Sequence, residues 1–246
     1  MMSPPALLLN ERTALFLDFD GTLAELAPRP DAVAVAHGLV PLLQRLHGRL
    51  DGALALITGR AQPDIDPLLA PLTLPGAFEH GGVRRTRHGL LTMHDLPDLA
   101  PVLAAARALA ARHPGLLVEH KRTAVALHYR LAPEMAAQCV RTLSEAVGNT
   151  PGLQLLPGKA VIEVKQAGVD KGAAIAAFMA EPPFVGRQPV FVGDDTTDEA
   201  GFDTVQRLGG AGIKVGPGDS LARYRLPDTT AVQQWLRDFD LRSDHP

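Results

Sequence analysis

The segment that most constrains this 246-residue chain is the apolar run Ala14 to Asp18, which closes in Asp18-Phe19-Asp20-Gly21-Thr22. A strand that is apolar at successive positions, with no polar alternation, is buried on both faces, as in parallel sheets covered by helices. Leu39, Leu42, Leu43, Leu46 and Leu50 then recur at helical spacing, and a second apolar run, Ala53 to Ile57, ends in Thr58-Gly59-Arg60. Strand, helix, strand predicts parallel pairing. The alternation resumes late in the chain, with a helix over Ala173–Met179 and a strand over Val190–Val192 ending in Gly193-Asp194-Asp195. A further strand over Gly212–Val215 and a closing helix from near Thr230 to Asp238 complete it.

Between these halves the texture changes. Leu116–Glu119, Val125–Arg130 and Val161–Lys165 read as strands with polar ends, and two Ala-rich helices intervene. That pattern suits an antiparallel sheet with one covered face. The expected architecture is therefore α/β: a Rossmann-like doubly wound parallel sheet formed by residues 1–83 and 169–246, with an α+β cap inserted at 84–168. Gly81-Gly82 and Gly168 are the expected hinges. With 46% hydrophobic residues the chain can bury a full core without staples.

Net charge is −3, and Lys and Arg form no cluster interleaved with aromatics, which argues against nucleic acid as a partner. No run approaches the roughly 20 apolar residues that span a bilayer. The first 18 residues lack the basic start and long apolar stretch of a signal peptide. Cys139 stands alone in an Ala-rich helical stretch, so no internal disulfide framework exists and a reducing compartment is expected. These features predict a cytoplasmic protein without a membrane partner, a monomer or weak homodimer.

In a doubly wound sheet, ligands bind beyond the carboxyl ends of the strands. Here several strands deliver polar residues at those ends. Asp18 and Asp20 follow one, Thr58 another, and Asp194 and Asp195, with Asp198 and Glu199 beyond, a third. So many carboxylates at one edge would repel each other and any anion unless a cation joined them, and an oxygen-seeking divalent ion such as Mg²⁺ resolves the conflict. Amides near Gly21 and Gly59 can form an anion-binding nest. Lys171 opens a helix, an end where the macrodipole favours anions, so another role accounts for it. Alternative readings remain: the acidic run can cap the following helix, Thr58 can do the same, and Lys159 and Lys165 can be solvated surface lysines. His80 reads as hinge or wall, not as a metal ligand, because no second histidine stands at ligand spacing.

Asp18-Phe19-Asp20-Gly21-Thr22-Leu23 resembles the first motif of the haloacid dehalogenase superfamily of phosphotransferases. Thr58, Lys171, and Gly193-Asp194-Asp195 with Asp198 are similar to its second, third and fourth motifs. More narrowly, Gly193-Asp194-Asp195-Thr196-Thr197-Asp198-Glu199, Glu119-His120-Lys121 and His128-Tyr129-Arg130 resemble the trehalose-phosphatases. The resemblance implies that Asp18 is a nucleophile forming a phosphoryl-aspartate and Asp20 a general acid and base. Thr58 and Lys171 would steady the phosphoryl group. Mg²⁺ would be held by Asp18, the Asp20 carbonyl and Asp194, with Asp195 and Asp198 in support. Gly21, Gly59 and Arg60 would border the phosphate. The implied substrate is a small sugar phosphate, trehalose 6-phosphate above others.

Substrate choice would fall to the cap, where Glu119, Lys121 and Glu163 can supply directed hydrogen bonds to sugar hydroxyls. The competing reading of these three is a cross-strand ion pair on a sheet face. His128 and Arg130 can support the cap without touching substrate. At the level of function, the alternatives are another capped sugar phosphatase acting on sucrose phosphate, a hexose phosphate or a glycosyl phosphoglycerate, a receiver-type phosphoacceptor module, and a sugar-sensing pseudoenzyme.

Overall fold

The computed structural model describes residues 2, 4, 8–27, 32–86, 89–92, 98–148, 150–158 and 160–242. In chain order the elements are β1 (Thr13–Leu17), α1 (Leu39–Arg49), β2 (Leu54–Ile57), α2 (Gln62–Leu69), β3 (Gly76–Phe78), β4 (Val83–Thr86), β5 (Gly89–Thr92), α3 (Ala100–Ala110), β6 (Leu117–His120) and β7 (Ala124–His128). They continue with α4 (Ala136–Gly148), β8 (Leu153–Gly158), β9 (Val161–Gln166), α5 (Lys171–Met179), β10 (Gln188–Gly193), α6 (Glu199–Arg207), β11 (Ala211–Val215), β12 (Tyr224–Leu226) and α7 (Thr229–Leu241). The chain divides into two compact units, residues 1–91 with 170–246, and residues 92–169.

The first unit is built on a sheet of strand order β12-β11-β10-β1-β2-β3-β4-β5. Every pairing from β12 to β3 is parallel, and β4 turns antiparallel to β3. All residues of β1 and β2 are buried, as a strand covered on both faces requires. Helix α1 packs with α7, and α5 with α6. Phe16 of β1 stacks on Phe184 at 5.3 Å between ring centroids, with Phe178 of α5 5.0 Å from Phe184, so the β1–α5 contact is aromatic. The chain lays β2 and β3 to one side of β1, then returns to lay β10, β11 and β12 on the other. Strand order therefore reverses between β1 and β10, and at such a switch point the loops diverge and leave a crevice.

The second unit pairs its strands in the order β6-β7-β9-β8, all antiparallel. Val125, Leu127, Ile162 and Val164 alternate onto one face, where they join Val102, Ala106 and Leu109 of α3 and Cys139 and Leu143 of α4 in a single core. Cys139 is fully buried and free, as its helical setting predicts.

Sequence expectation and structure differ at the boundary. The cap was expected to begin at Arg84, yet the first unit runs to Leu91, because β4 and β5 extend the large sheet. Gly81 and Gly82, expected as a hinge, lie inside the first unit in the turn that leads from β3 to β4. Among the described residues, no helix is long and apolar enough to cross a membrane.

Candidate active site

The switch point brings the first and fourth motifs side by side. Leu17 and Val192 are register partners, and the Asp18 amide donates to the Val192 carbonyl at 2.9 Å, so Asp18 and Asp194 leave the sheet from adjacent strands. Beyond Asp18 the chain folds back on itself: the Phe19 carbonyl accepts from the Leu23 and Ala24 amides at 2.9 and 3.0 Å. Gly21 sits at the bend with φ +73°, and a Cβ built there would lie 2.1 Å from Asp194 Oδ2. Only glycine lets the loop and the Asp194 carboxylate occupy this space.

Lys171 is the first residue of α5, behind the N-cap Asp170, whose side chain accepts from the Ala173 amide. It is 2% exposed. Its Nζ bridges Asp18 Oδ1 at 2.8 Å and Asp198 Oδ1 at 2.7 Å. Asp198, wholly buried, uses Oδ2 to accept from the Asp194 and Asp195 amides, both at 2.9 Å. Residues from three distant segments thus form one network around a lysine, the second function that its helical position called for.

Charge in this network is unbalanced, three carboxylates to one ammonium. Burial, reinforced by repulsion from Asp198 and Asp194, raises the Asp18 carboxyl well above its usual range despite the opposing pull of Lys171. Asp194 is pushed up to about 6, by burial first and by Asp198 second. Burial would favour a neutral Lys171, but Asp18 and Asp198 together outweigh it and raise the ammonium above its ordinary value. One oxygen from each of Asp18, Asp194 and Asp198 lies within 4.8 Å of the others. This donor set is entirely carboxylate oxygen, and its appetite for positive charge fits a hard divalent cation such as Mg²⁺.

Two expected supports behave differently. Asp198, expected only to assist, belongs to the cluster itself. Asp195 is exposed, and its Oδ1 accepts from the Thr196 amide and hydroxyl at 2.6 and 2.9 Å, so its carboxylate caps the next turn, the local use that the alternative reading of the acidic run described.

Thr58, 1% exposed, ends β2 as expected, and its hydroxyl accepts from the Arg60 amide at 3.2 Å. Arg60, expected among the phosphate contacts, instead forks onto Asp20 through Nε–Oδ2 at 2.6 Å and Nη2–Oδ1 at 2.7 Å. A planar guanidinium matches two carboxylate oxygens at once, which explains the preference. His80 is the wall the sequence suggested, with a specific task. It and Glu79 hold positive φ, 57° and 51°, a costly conformation for residues with a Cβ. Their amides donate to the carbonyls of Thr58 and Arg60 at 3.0 and 2.9 Å. The imidazole fills the space beside Gly59, where a Cβ would lie 2.5 Å from His80 Cε1.

In the second unit, strand register puts Glu119, Ala126 and Glu163 in one row, and Lys121 follows on the same side as Ala124 and Lys165. Alternation places these on the face that α3 and α4 leave uncovered. Lys121 Nζ binds Glu163 Oε2 at 2.6 Å, and Glu119 Oε2 meets His128 Nε2 at 2.9 Å. The cross-strand ion pair weighed as an alternative is thus what Lys121 and Glu163 form. Lys165, read as solvated, is 3% exposed and donates to the Val169 carbonyl. Its burial has no local mark, because the carbonyl it reaches is supplied by the loop that follows β9. Lys159 lies outside the described residues.

Residues 16–230 match the trehalose-phosphatase family. The trehalose-6-phosphate phosphatase of Escherichia coli (strain K12) is 44% identical over 231 residues, 93% of this chain and 86% of that one. The probable trehalose-phosphate phosphatase of Sinorhizobium fredii (strain NBRC 101917 / NGR234) is 44% identical over 206 residues, covering 83% and 78%. A solved trehalose-6-phosphate phosphatase related protein superimposes over 92% of this chain and 96% of its own, with a TM-score of 0.74 at 26% identity. With its doubly wound core and inserted cap, the chain is a phosphatase of haloacid dehalogenase fold and belongs to the trehalose-phosphatase family.

Proposed function

We propose that this phosphatase hydrolyses trehalose 6-phosphate through a phosphoryl-aspartate on Asp18, with Mg²⁺ bound by Asp18, the Asp20 carbonyl and Asp194 beside Asp198. The observation that carries the reading is the Lys171 bridge between Asp18 and Asp198, at 2.8 and 2.7 Å, beside Asp194 at the switch point. The substrate is the one named for relatives at 44% identity.

Lys171 holds Asp18 Oδ1, leaving Oδ2 to attack phosphorus in line. As the new O–P bond forms, the bond to the sugar oxygen breaks, and that oxygen takes a proton from the Asp20 carboxyl. Asp20 must leave Arg60 to do so, which makes the Asp20–Arg60 fork a resting arrangement. A water then attacks the phosphoryl-aspartate, giving its proton to Asp20, while the O–P bond to Asp18 breaks and phosphate departs. The Thr58 hydroxyl and the Gly59 amide receive phosphoryl oxygens, and Lys171 offsets their charge; the Gly21 amide, expected beside them, instead donates to the Ala24 carbonyl at 2.7 Å. Asp18, the Asp20 carbonyl and Asp194 would hold Mg²⁺, which would supply further positive charge to the phosphoryl group. Glu119, Lys121 and Glu163 hold the sugar hydroxyls, the first exchanging its His128 contact and the other two their mutual pair for the polyol.

A panel of phosphate esters with Mg²⁺ and with EDTA tests this. Trehalose 6-phosphate should exceed sucrose 6-phosphate and glucose 6-phosphate at least roughly tenfold in kcat/KM, the order of one lost charged hydrogen bond, and EDTA should abolish turnover. Equal rates across the panel would remove the substrate assignment, and full activity in EDTA the metal.

A further inference from the structure

The acidic loop after β10 is gripped at a second point. Lys214 stands on β11 as the register partner of Gly193, and it is 6% exposed. Its Nζ donates to the carbonyl of Asp194 and, at 2.8 Å, to that of Val215. An ammonium buried on two neutral carbonyls is costly to desolvate. A leucine or valine would serve the packing of β11 at no such cost.

What Lys214 holds is informative. The Asp194 carbonyl and the Asp195 amide are the two polar groups of one peptide. Lys214 takes the carbonyl, and Asp198 Oδ2 takes the amide at 2.9 Å. A peptide held at both groups cannot rotate, and the Asp194 amide is held by the same Asp198 oxygen at 2.9 Å, so the Asp194 Cα that carries the carboxylate beside Gly21 is fixed from both sides. We infer that Lys214 is a positioning residue for the cation site, fixing Asp194 through its backbone carbonyl so that the carboxylate is preset for a divalent ion. The inference rests on the proposed assignment of Asp194 as a metal ligand. Lys214 makes no contact with the reacting groups, so its effect runs through Asp194 alone.

Sign separates this role from simple electrostatics. A nearby positive charge opposes cation binding, so a lysine acting only by charge would, on removal, tighten Mg²⁺ binding. A positioning lysine would, on removal, loosen it. Calorimetric titration of Mg²⁺ into the full chain without substrate reads the difference directly. K214M should weaken Mg²⁺ binding roughly 10- to 100-fold, the usual cost of losing a group that orients a metal ligand. K214Q, whose amide can still donate to the Asp194 carbonyl, should fall between K214M and the wild type, and it decides alone if K214M does not fold. At saturating Mg²⁺, KM for trehalose 6-phosphate should be unchanged in both. Unchanged or tighter Mg²⁺ binding in the Lys214 variants would overturn the inference. D194N serves as the control: if it keeps wild-type Mg²⁺ affinity, the metal assignment itself fails, whereas loss in D194N with none in K214M or K214Q sinks the Lys214 inference only.

Discussion

The two units solve opposite electrostatic problems with similar residues. In the first, buried Asp18 and Asp198 and half-buried Asp194 surround the one bridging ammonium of Lys171, and burial, reinforced by repulsion between the carboxylates, raises the Asp18 and Asp194 carboxyls. In the second, Lys121 binds Glu163 and Glu119 meets His128 across the strands. An unbalanced cluster invites a cation, while paired side chains on a sheet face offer directed donors and acceptors, as a neutral polyol needs. Chemistry and selectivity are therefore expected to fail separately, and substitutions in each unit can break or sharpen that division.

The largest effect is expected at the nucleophile. Asp18→Asn should lower kcat for every phosphate ester by roughly 10⁴-fold or more, as loss of a nucleophile generally does. A single-turnover assay that traps no phosphorylated protein would support the role, and near-wild-type phosphate release would end it. Next comes Gly21→Ala. Its Cβ, 2.1 Å from Asp194 Oδ2 and at φ +73°, must displace the loop or the carboxylate. Displacements of about 1 Å commonly cost about 10²-fold, so kcat/KM should fall by that order for trehalose 6-phosphate and for a small aryl phosphate alike. A loss confined to the sugar substrate would contradict the division of labour.

Much of the first unit is legible in the sequence because its strands are apolar throughout and end abruptly in motif residues. Asp18, Thr58, Lys171 and Asp194 could be named from such strand and helix ends. Less legible are β3, β4, β5 and β12, which are short and gain their place only from neighbours, and β8, whose Leu153-Gln154-Leu155-Leu156 gives no clean alternation before Pro157. The Arg60–Asp20 fork joins residues 40 positions apart, and the Lys214 contact to Asp194 depends on the β10–β11 register. Neither partner carries a local signal. Lys165 misleads for a related reason: lysine is mostly exposed, and only the fold supplies the Val169 carbonyl that makes its burial tolerable. The His80 backbone is equally silent, since positive φ at a non-glycine residue has no compositional mark.

On the cap side, Lys121→Met removes the ammonium that Glu163 holds at 2.6 Å. The expected loss is about tenfold in kcat/KM for trehalose 6-phosphate, the order of one charged hydrogen bond, with an aryl phosphate unaffected. Parallel loss on both substrates would mean that the pair braces the fold and does not grip sugar.

The smallest expected effect lies in pH. Asp194 titrates near 6 in the folded chain without metal, against an ordinary value of 3.8. A raised carboxyl pKa favours the folded state when protonated, so this contribution is complete below about 3.8 and is lost as pH rises through about 6. A divalent ion must displace that proton. Apparent Mg²⁺ affinity should therefore fall, relative to its high-pH limit, at least about twofold at pH 6 and at least about tenfold at pH 5, the raised Asp18 carboxyl adding a second competing proton. The Mg²⁺-induced rise in Tm should shrink over the same window. Because the titrating group sits in the unbalanced cluster, trehalose 6-phosphate and an aryl phosphate should lose activity in step at subsaturating Mg²⁺. Divergent pH profiles for the two substrates would place a titrating group on the β6–β9 sheet proposed to hold the sugar and dissolve the contrast between the two units.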